Sequence, residues 1–122
     1  MATLNYIKDL LKTIGFSLDD GKVNIWKKIY SNNSNYKISV DLENETIDFG
    51  SLIALGDRTT SNFKAAENFV VLECVNRLLE KGYKPEYITL EKDYPLGHKT
   101  KGKLDILVTD TDGKEFLMIE CK

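Results

Sequence analysis

The stretch 105–122, DILVTDTDGKEFLMIECK, decides how this chain is read. Two apolar, β-branched runs, residues 103–109 and 115–122, flank the turn-rich segment 110–114. Asp112-Gly113 is a strong two-residue hairpin signal, because a type I′ turn needs positive φ at both central positions. The pattern predicts two antiparallel strands with Thr111 facing Lys114, a register that sets Asp105 directly opposite Glu120. A three-residue turn with a bulged glycine would slip the pairing by one, and only a second irregularity could restore it.

In the direct register Glu120 and Lys122 share a face, because strand side chains alternate with a period of two. Leu104, Ile106 and Val108, with Leu117, Ile119 and Cys121, point the other way and supply the buried face. Directly opposed residues have Cβ atoms roughly 4.5–5.5 Å apart, where like charges are destabilising. A cation held between the two carboxylates reverses that penalty. Two acids and an ammonium on one face suit a divalent metal and a water aimed at a phosphodiester. The same spacing also suits a two-sided hairpin with its charges solvated outside.

Residues 60–81 read as one long helix. Thr60, Ser61 or Asn62 can cap its start, and Gly82 is a natural stop after Lys81. Glu67 precedes Val70, Val71, Cys74, Val75 and Leu78 at helical spacing, so it continues the apolar stripe. A carboxylate there needs a partner, since an unpaired buried charge is very costly. The metal pocket is one candidate partner; the other reading leaves Glu67 near the helix start, favoured by the dipole and reaching solvent. Glu73 lies on the flank of the stripe and reads as solvated.

A helix with Glu67, a strand, a strand with Asp105 and a strand with Glu120-Cys-Lys122 together resemble the PD-(D/E)XK nuclease core. More specifically the chain is similar to the N-terminal endonuclease domain of type I restriction enzyme R proteins, a domain that related enzymes fuse to a DNA methyltransferase. The resemblance is carried by residues 66–83, AENFVVLECVNRLLEKGY, by 85–91, PEYITLE, and by 94–97, YPLG. It continues through 104–108, LDILV, and 117–122, LMIECK, and so covers residues 61–122, about half of the chain.

That resemblance implies an α/β (α+β) fold, with a restriction-endonuclease-like core of a long helix packed on a mixed sheet. Residues 1–60 would be an N-terminal helix plus an antiparallel β-meander extension, and 61–122 the nuclease core. Asp105 and Glu120 would be the metal ligands, Lys122 would orient or activate the attacking water, and Glu67 would match the helix acid. The implied cofactor is Mg²⁺; ATP or S-adenosylmethionine would enter only through other domains of a parent protein. The implied partners are double-stranded DNA and other domains or subunits of a restriction-modification complex. The family's core continues past its Glu-x-Lys strand, so a chain stopping at Lys122 is expected to be a fragment, incomplete at its C-terminus. The alternative is a catalytically silent module of the same fold, serving DNA binding or assembly. A weaker third reading is a repair or junction nuclease.

Immediately before the Asp105 run lies a basic segment, residues 98–103, HKTKGK. Lys99, Lys101 and Lys103 are candidate DNA-phosphate contacts, although three lysines beside glycine are also ordinary loop chemistry. The only histidine, His98, reads as a loop residue.

The first half predicts an amphipathic helix over 3–16, with Leu4, Ile7, Leu10, Leu11 and Ile14 at helical spacing and Gly15 weakening its end. Alternating runs over 23–30, 36–42 and 46–49 read as strands, separated by turn clusters at 31–35 and 43–45. Trp26, Tyr30 and Tyr36 fit core packing better than a nucleic-acid surface, because aromatic cross-strand pairs are common stabilisers of sheets.

Composition sets the outer bounds. The 122 residues suit one domain or part of one, and 42% hydrophobic with 30% charged residues is ordinary for a globule. No apolar run reaches 18 residues and no basic-plus-apolar leader opens the chain, which predicts a cytoplasmic protein without a membrane partner. Cys74 and Cys121 lack zinc spacing and read as buried thiols in a reducing compartment. The formal charge of −2 gives no global nucleic-acid signal.

Overall fold

The structure, a computed structural model, describes residues 4–56, 61–95, 101–112 and 114–120. It is a mixed α+β arrangement of two helices and two four-stranded sheets. Helix α1 (Leu4–Thr13) buries Ile7, Leu10 and Leu11, the stripe its spacing predicts. Its end is a Schellman turn, in which Phe16 N–H bonds the Leu11 carbonyl at 2.8 Å and Gly15 N–H the Lys12 carbonyl at 3.1 Å. Gly15 takes φ +97°, the left-handed conformation that glycine adopts without steric cost.

The first sheet is antiparallel throughout, in the order β1 (Ser17–Leu18), β2 (Ile25–Tyr30), β3 (Tyr36–Asp41) and β4 (Thr46–Asp48). Its inward face is set by the aromatics, with Trp26, Tyr30 and Tyr36 all buried. They are core residues, as the packing argument expects. Tyr36 donates its hydroxyl proton to the Phe49 carbonyl, and the same oxygen accepts the Leu52 and Ile53 N–H groups at 3.2 Å each. One side chain therefore fastens the segment leading out of the sheet. Asp41 closes the turn after β3 by accepting the N–H groups of Asn44 and Glu43. The Asn44 bond above all holds its carboxyl below the ordinary range.

The second sheet is mixed. Strand β5 (Ala54–Leu55) runs parallel to β6 (Ile88–Pro95), which pairs antiparallel with β7 (Lys101–Thr109), and β7 pairs antiparallel with β8 (Glu115–Ile119). β5 comes from the first half of the sequence. The isolated bridge between Thr46 and Asn62 also crosses position 60. A single hydrophobic cluster includes Leu11, Trp26, Ile38, Phe69, Leu79, Leu90 and Ile106, so the core is continuous across that position.

Helix α2 (Glu67–Glu80) joins the two sheets. It begins later than its apolar pattern predicts, because residues 61–66 form bends in which the Asn62 side chain accepts the Lys64 N–H at 2.9 Å. Asn62 thus organises a turn ahead of the helix instead of capping the helix itself. The stop is the predicted one: Gly82, at φ +97°, follows the last turn, and Tyr83 N–H reaches back to the Leu78 carbonyl at 3.1 Å.

α2 buries more than one stripe. Asn68, Leu72 and Asn76 are inside as well as the apolar Phe69, Val71, Val75, Leu78 and Leu79. One side receives the 3-10 turn Ser31–Asn33 that links β2 to β3, where Asn33 donates to the Leu79 and Tyr83 carbonyls at 2.8 and 3.2 Å, and Asn32 to the Leu79 and Glu80 carbonyls at 3.0 and 3.2 Å. These amides add hydrogen bonds to carbonyls at and just past the end of the helix. The other side meets the second sheet, where Cys74, Leu78 and Tyr83 line a cavity of about 240 Å³ with Leu117 and Ile119.

Candidate functional site

The site is organised by the ladder between β7 and β8. Three successive pairs, Ile106 with Ile119, Leu107 with Met118 and Val108 with Leu117, set the register. Continued one residue past Ile106, that register would set Asp105 on β7 opposite Glu120, which lies just beyond the end of β8. Asp105 is half-buried and Glu120 is exposed. Ile106 and Val108 face the core beneath them, with Leu117 and Ile119 packed against it.

The turn that delivers this register differs from the predicted two-residue type I′ turn. Asp110 N–H bonds the Lys114 carbonyl at 2.8 Å, and Thr109 pairs with Glu115, one position out of step with the ladder below. An irregularity between Val108 and Thr109 restores the step. The Asp110 carboxylate accepts the N–H groups of Asp112 at 2.9 Å and Lys114 at 3.0 Å, which favours the longer turn over Asp112-Gly113 alone. Two compensating slips therefore leave the site register where a tight hairpin would have put it.

The remaining candidates are placed less closely. Glu67 is the first residue of α2 and is exposed. The expectation that it extends a buried stripe is corrected: the helix begins at Glu67 itself, so the preceding turn that would bury it is absent, and its carboxylate meets the positive end of the helix dipole in solvent. Lys122 and Lys99 lie outside the described residues, as do Cys121 and His98. Lys101 and Lys103 are placed by backbone only, opposite Pro95 and Asp93 on β6. Among the described residues, no group of three or more His, Cys, Asp or Glu is gathered so as to hold a metal ion. Glu67 is thus not brought together with Asp105 and Glu120.

Two acids do not exclude magnesium, which keeps several waters and is commonly held by one or two carboxylates plus substrate phosphate. The hard oxygen donors of Asp105 and Glu120 fit that ion better than softer metals.

Sequence reasoning missed a third acid. Glu91 on β6 is 3% exposed and takes φ +56° within a strand. The β6–β7 pairing runs Leu90 with Ile106 and then Lys92 with Leu104, so position 91 falls across from Asp105. In the sequence Glu91 follows Leu90 in an alternating run and reads as outward; no local signal announces its burial.

A second polar cluster was also missed. Lys28, on the inward side of β2, donates to the Ile14 carbonyl at 2.6 Å, to Asn76 Oδ1 at 2.8 Å and to Glu80 Oε2 at 2.7 Å. Tyr30 donates to the same Asn76 oxygen at 2.7 Å, and Lys28 Nζ lies 5.0 Å from the Tyr30 ring centroid. Burial, and then the Glu80 charge, raises the Tyr30 phenol above its ordinary pKa, so it remains a neutral donor. This cluster lines a cavity of about 390 Å³ between the end of α1 and α2. Its charges are met within the chain, and it reads as scaffold.

Compared with known proteins, the chain matches no family model, no curated protein and no solved structure. Among the described residues, no helix is long and apolar enough to cross a membrane.

Proposed function

We propose that this chain is the endonuclease domain of a restriction-modification enzyme, of the PD-(D/E)XK kind, hydrolysing DNA phosphodiesters with Mg²⁺. The observation that supports the reading is the β7–β8 register, which would set Asp105 opposite Glu120 if continued one residue beyond the Ile106–Ile119 pair. Like charges at such positions repel unless a cation lies between them. Asp105 and Glu120 would hold the metal through carboxylate oxygens. Lys122 would set positive charge beside the developing phosphorane, and Lys99, Lys101 and Lys103 would meet DNA phosphates. When bound, Mg²⁺ would polarise the phosphoryl oxygen and lower the pKa of a coordinated water. A fixed donor of the Lys122 type is worth roughly 2.7–4 kcal/mol in the transition state in measured cases. Double-stranded DNA and further domains or subunits of a cytoplasmic restriction-modification complex are the proposed partners.

The test is a plasmid nicking assay on the full-length protein across a Mg²⁺ titration. Cleavage that rises with Mg²⁺ and vanishes in excess chelator supports the reading. Full cleavage in chelator contradicts it. DNA binding without cleavage at any metal concentration would instead favour a silent module of the same fold.

A further inference from the structure

The sheets end in the edge strands β1, β4, β5 and β8. Three of these are short: β1 and β5 span two residues each and β4 three, with Asn62 bridged to Thr46 beside it. Past β5, the length of β6 that it leaves uncovered carries Lys92, Asp93 and Pro95. Short strands, charges and proline are the usual means by which an open edge avoids pairing with another chain. β8 differs. It has five residues and, among the described residues, pairs with β7 alone. Residues 116–119 read FLMI, with neither charge nor proline. The irregularity facing Thr109 disturbs the start of the strand and leaves Leu117, Met118 and Ile119 in regular pairing.

Burial also falls off toward this edge. Ile88, Leu90 and Ile106 on β6 and β7 are fully buried. Leu117 and Ile119 are only partly buried and line the cavity beneath α2 with Cys74, Leu78 and Tyr83. Met118, on the opposite face, is 58% exposed.

The charges at the ends of this strand complement the strand itself. Residues 114–120 read KEFLMIE. In an antiparallel pairing with a second copy about Leu117, Lys114 falls opposite Glu120 at both ends, Phe116 falls opposite Met118, and Leu117 meets its counterpart. Two opposite-charge pairs then flank an apolar middle. Pairing shifted by one residue would set Glu115 opposite Glu120, like charges that cost stability, or leave Lys114 opposite Ile119. Lys114 and Glu120 are both exposed, and no ion pair among the described residues uses either.

We propose that β8 is a self-pairing edge: two copies of this chain join antiparallel about Leu117, continuing the second sheet across the interface, with Lys114 of each copy meeting Glu120 of the other. Directly opposed residues share a face, so the two Leu117 side chains meet and the two cavities lie on one side of the joined sheet. The two-fold pairing uses both β8 edges, so assembly closes at two. The pairing does not rest on the nuclease reading, since it is read by mass and not by cleavage.

The experiment is sedimentation velocity on the full-length protein over a concentration series, with a melting curve on each variant. Wild type is expected to pass from monomer to dimer. Lys114→Glu and Glu120→Lys each set like charges opposite at both ends, and each alone is expected to raise the dimer dissociation constant about tenfold or more. An equimolar mixture of the two restores both opposite-charge pairs and is expected to dimerise as wild type does. Met118→Lys places a charge within the apolar middle and is expected to leave only monomer. Should either charge variant fail to fold, Met118→Lys decides alone. Wild type that stays monomeric up to its solubility limit, the result expected if another segment or partner covers β8, overturns the proposal. So does a dimer that persists in Met118→Lys, or a mixture that associates no better than its separate components.

Discussion

The inner face of β2 and the strand β7 both carry charge within a sheet, and the proposed function uses only the second. On β2 the Lys28 ammonium meets a carbonyl, an amide oxygen and the Glu80 carboxylate, all from this chain. On β7 Asp105 is half-buried one residue beyond the Ile106–Ile119 pair, and the neighbouring β6 carries the buried Glu91. A sign-balanced cluster holds elements together. The acids of the second region are the ones that the proposed chemistry would use.

The strongest way to break this contrast is at the acids. Asp105→Ala or Glu120→Ala in the full-length protein is expected to reduce cleavage to background and leave the melting curve near wild type. Wild-type cutting rates in either variant would end the assignment. Lys28→Met should do the reverse, destabilising the fold by roughly 2–3 kcal/mol, because it strips the Ile14 carbonyl and part of Asn76 of their donor. Chemical denaturation reads that loss, and metal-dependent cleavage should persist below the new transition.

Smaller changes sharpen the comparison. Asn33→Ala removes an amide that serves two carbonyls at the end of α2 and should cost about 1–2 kcal/mol in urea unfolding. Tyr30→Phe should cost about 1 kcal/mol at neutral pH. It should also alter the alkaline limb. The folded phenol has its pKa raised by burial, so its contribution is complete below the unfolded value of about 10 and is lost as pH rises from there toward the folded value. Stability should therefore fall above about pH 10 in wild type and less steeply in Tyr30→Phe. Glu67→Ala should be smallest, within about 0.5 kcal/mol, as for an exposed residue in a first helical turn. A tenfold fall in cleavage in that variant would return Glu67 to the site.

Much of the frame was legible because local rules write it. Gly15 and Gly82 end their helices through the left-handed conformation that glycine tolerates. The alternation over 36–41 gives β3 with Tyr36, Ile38 and Val40 buried. The ladder beneath Asp105 and Glu120 was legible from two apolar runs, even though Asp110 selects a longer turn than Asp112-Gly113 suggests. Asn76 was not legible, since a polar residue on a helix reads as solvated until Lys28 and Tyr30, more than forty positions away, arrive to meet it. Glu67 misled for the related reason that periodicity locates a stripe and not the residue at which a helix begins.

By itself the sequence determined the periods, the stops and the β7–β8 pairing order below Asp105, since these follow from backbone geometry and side-chain alternation over neighbouring residues. The tertiary structure alone decided that α2 is covered on two sides, that Lys28 is enclosed and Glu67 exposed, and that Glu91 is folded inward beside Asp105. Burial is set by which surfaces meet, and those surfaces come from segments distant along the chain.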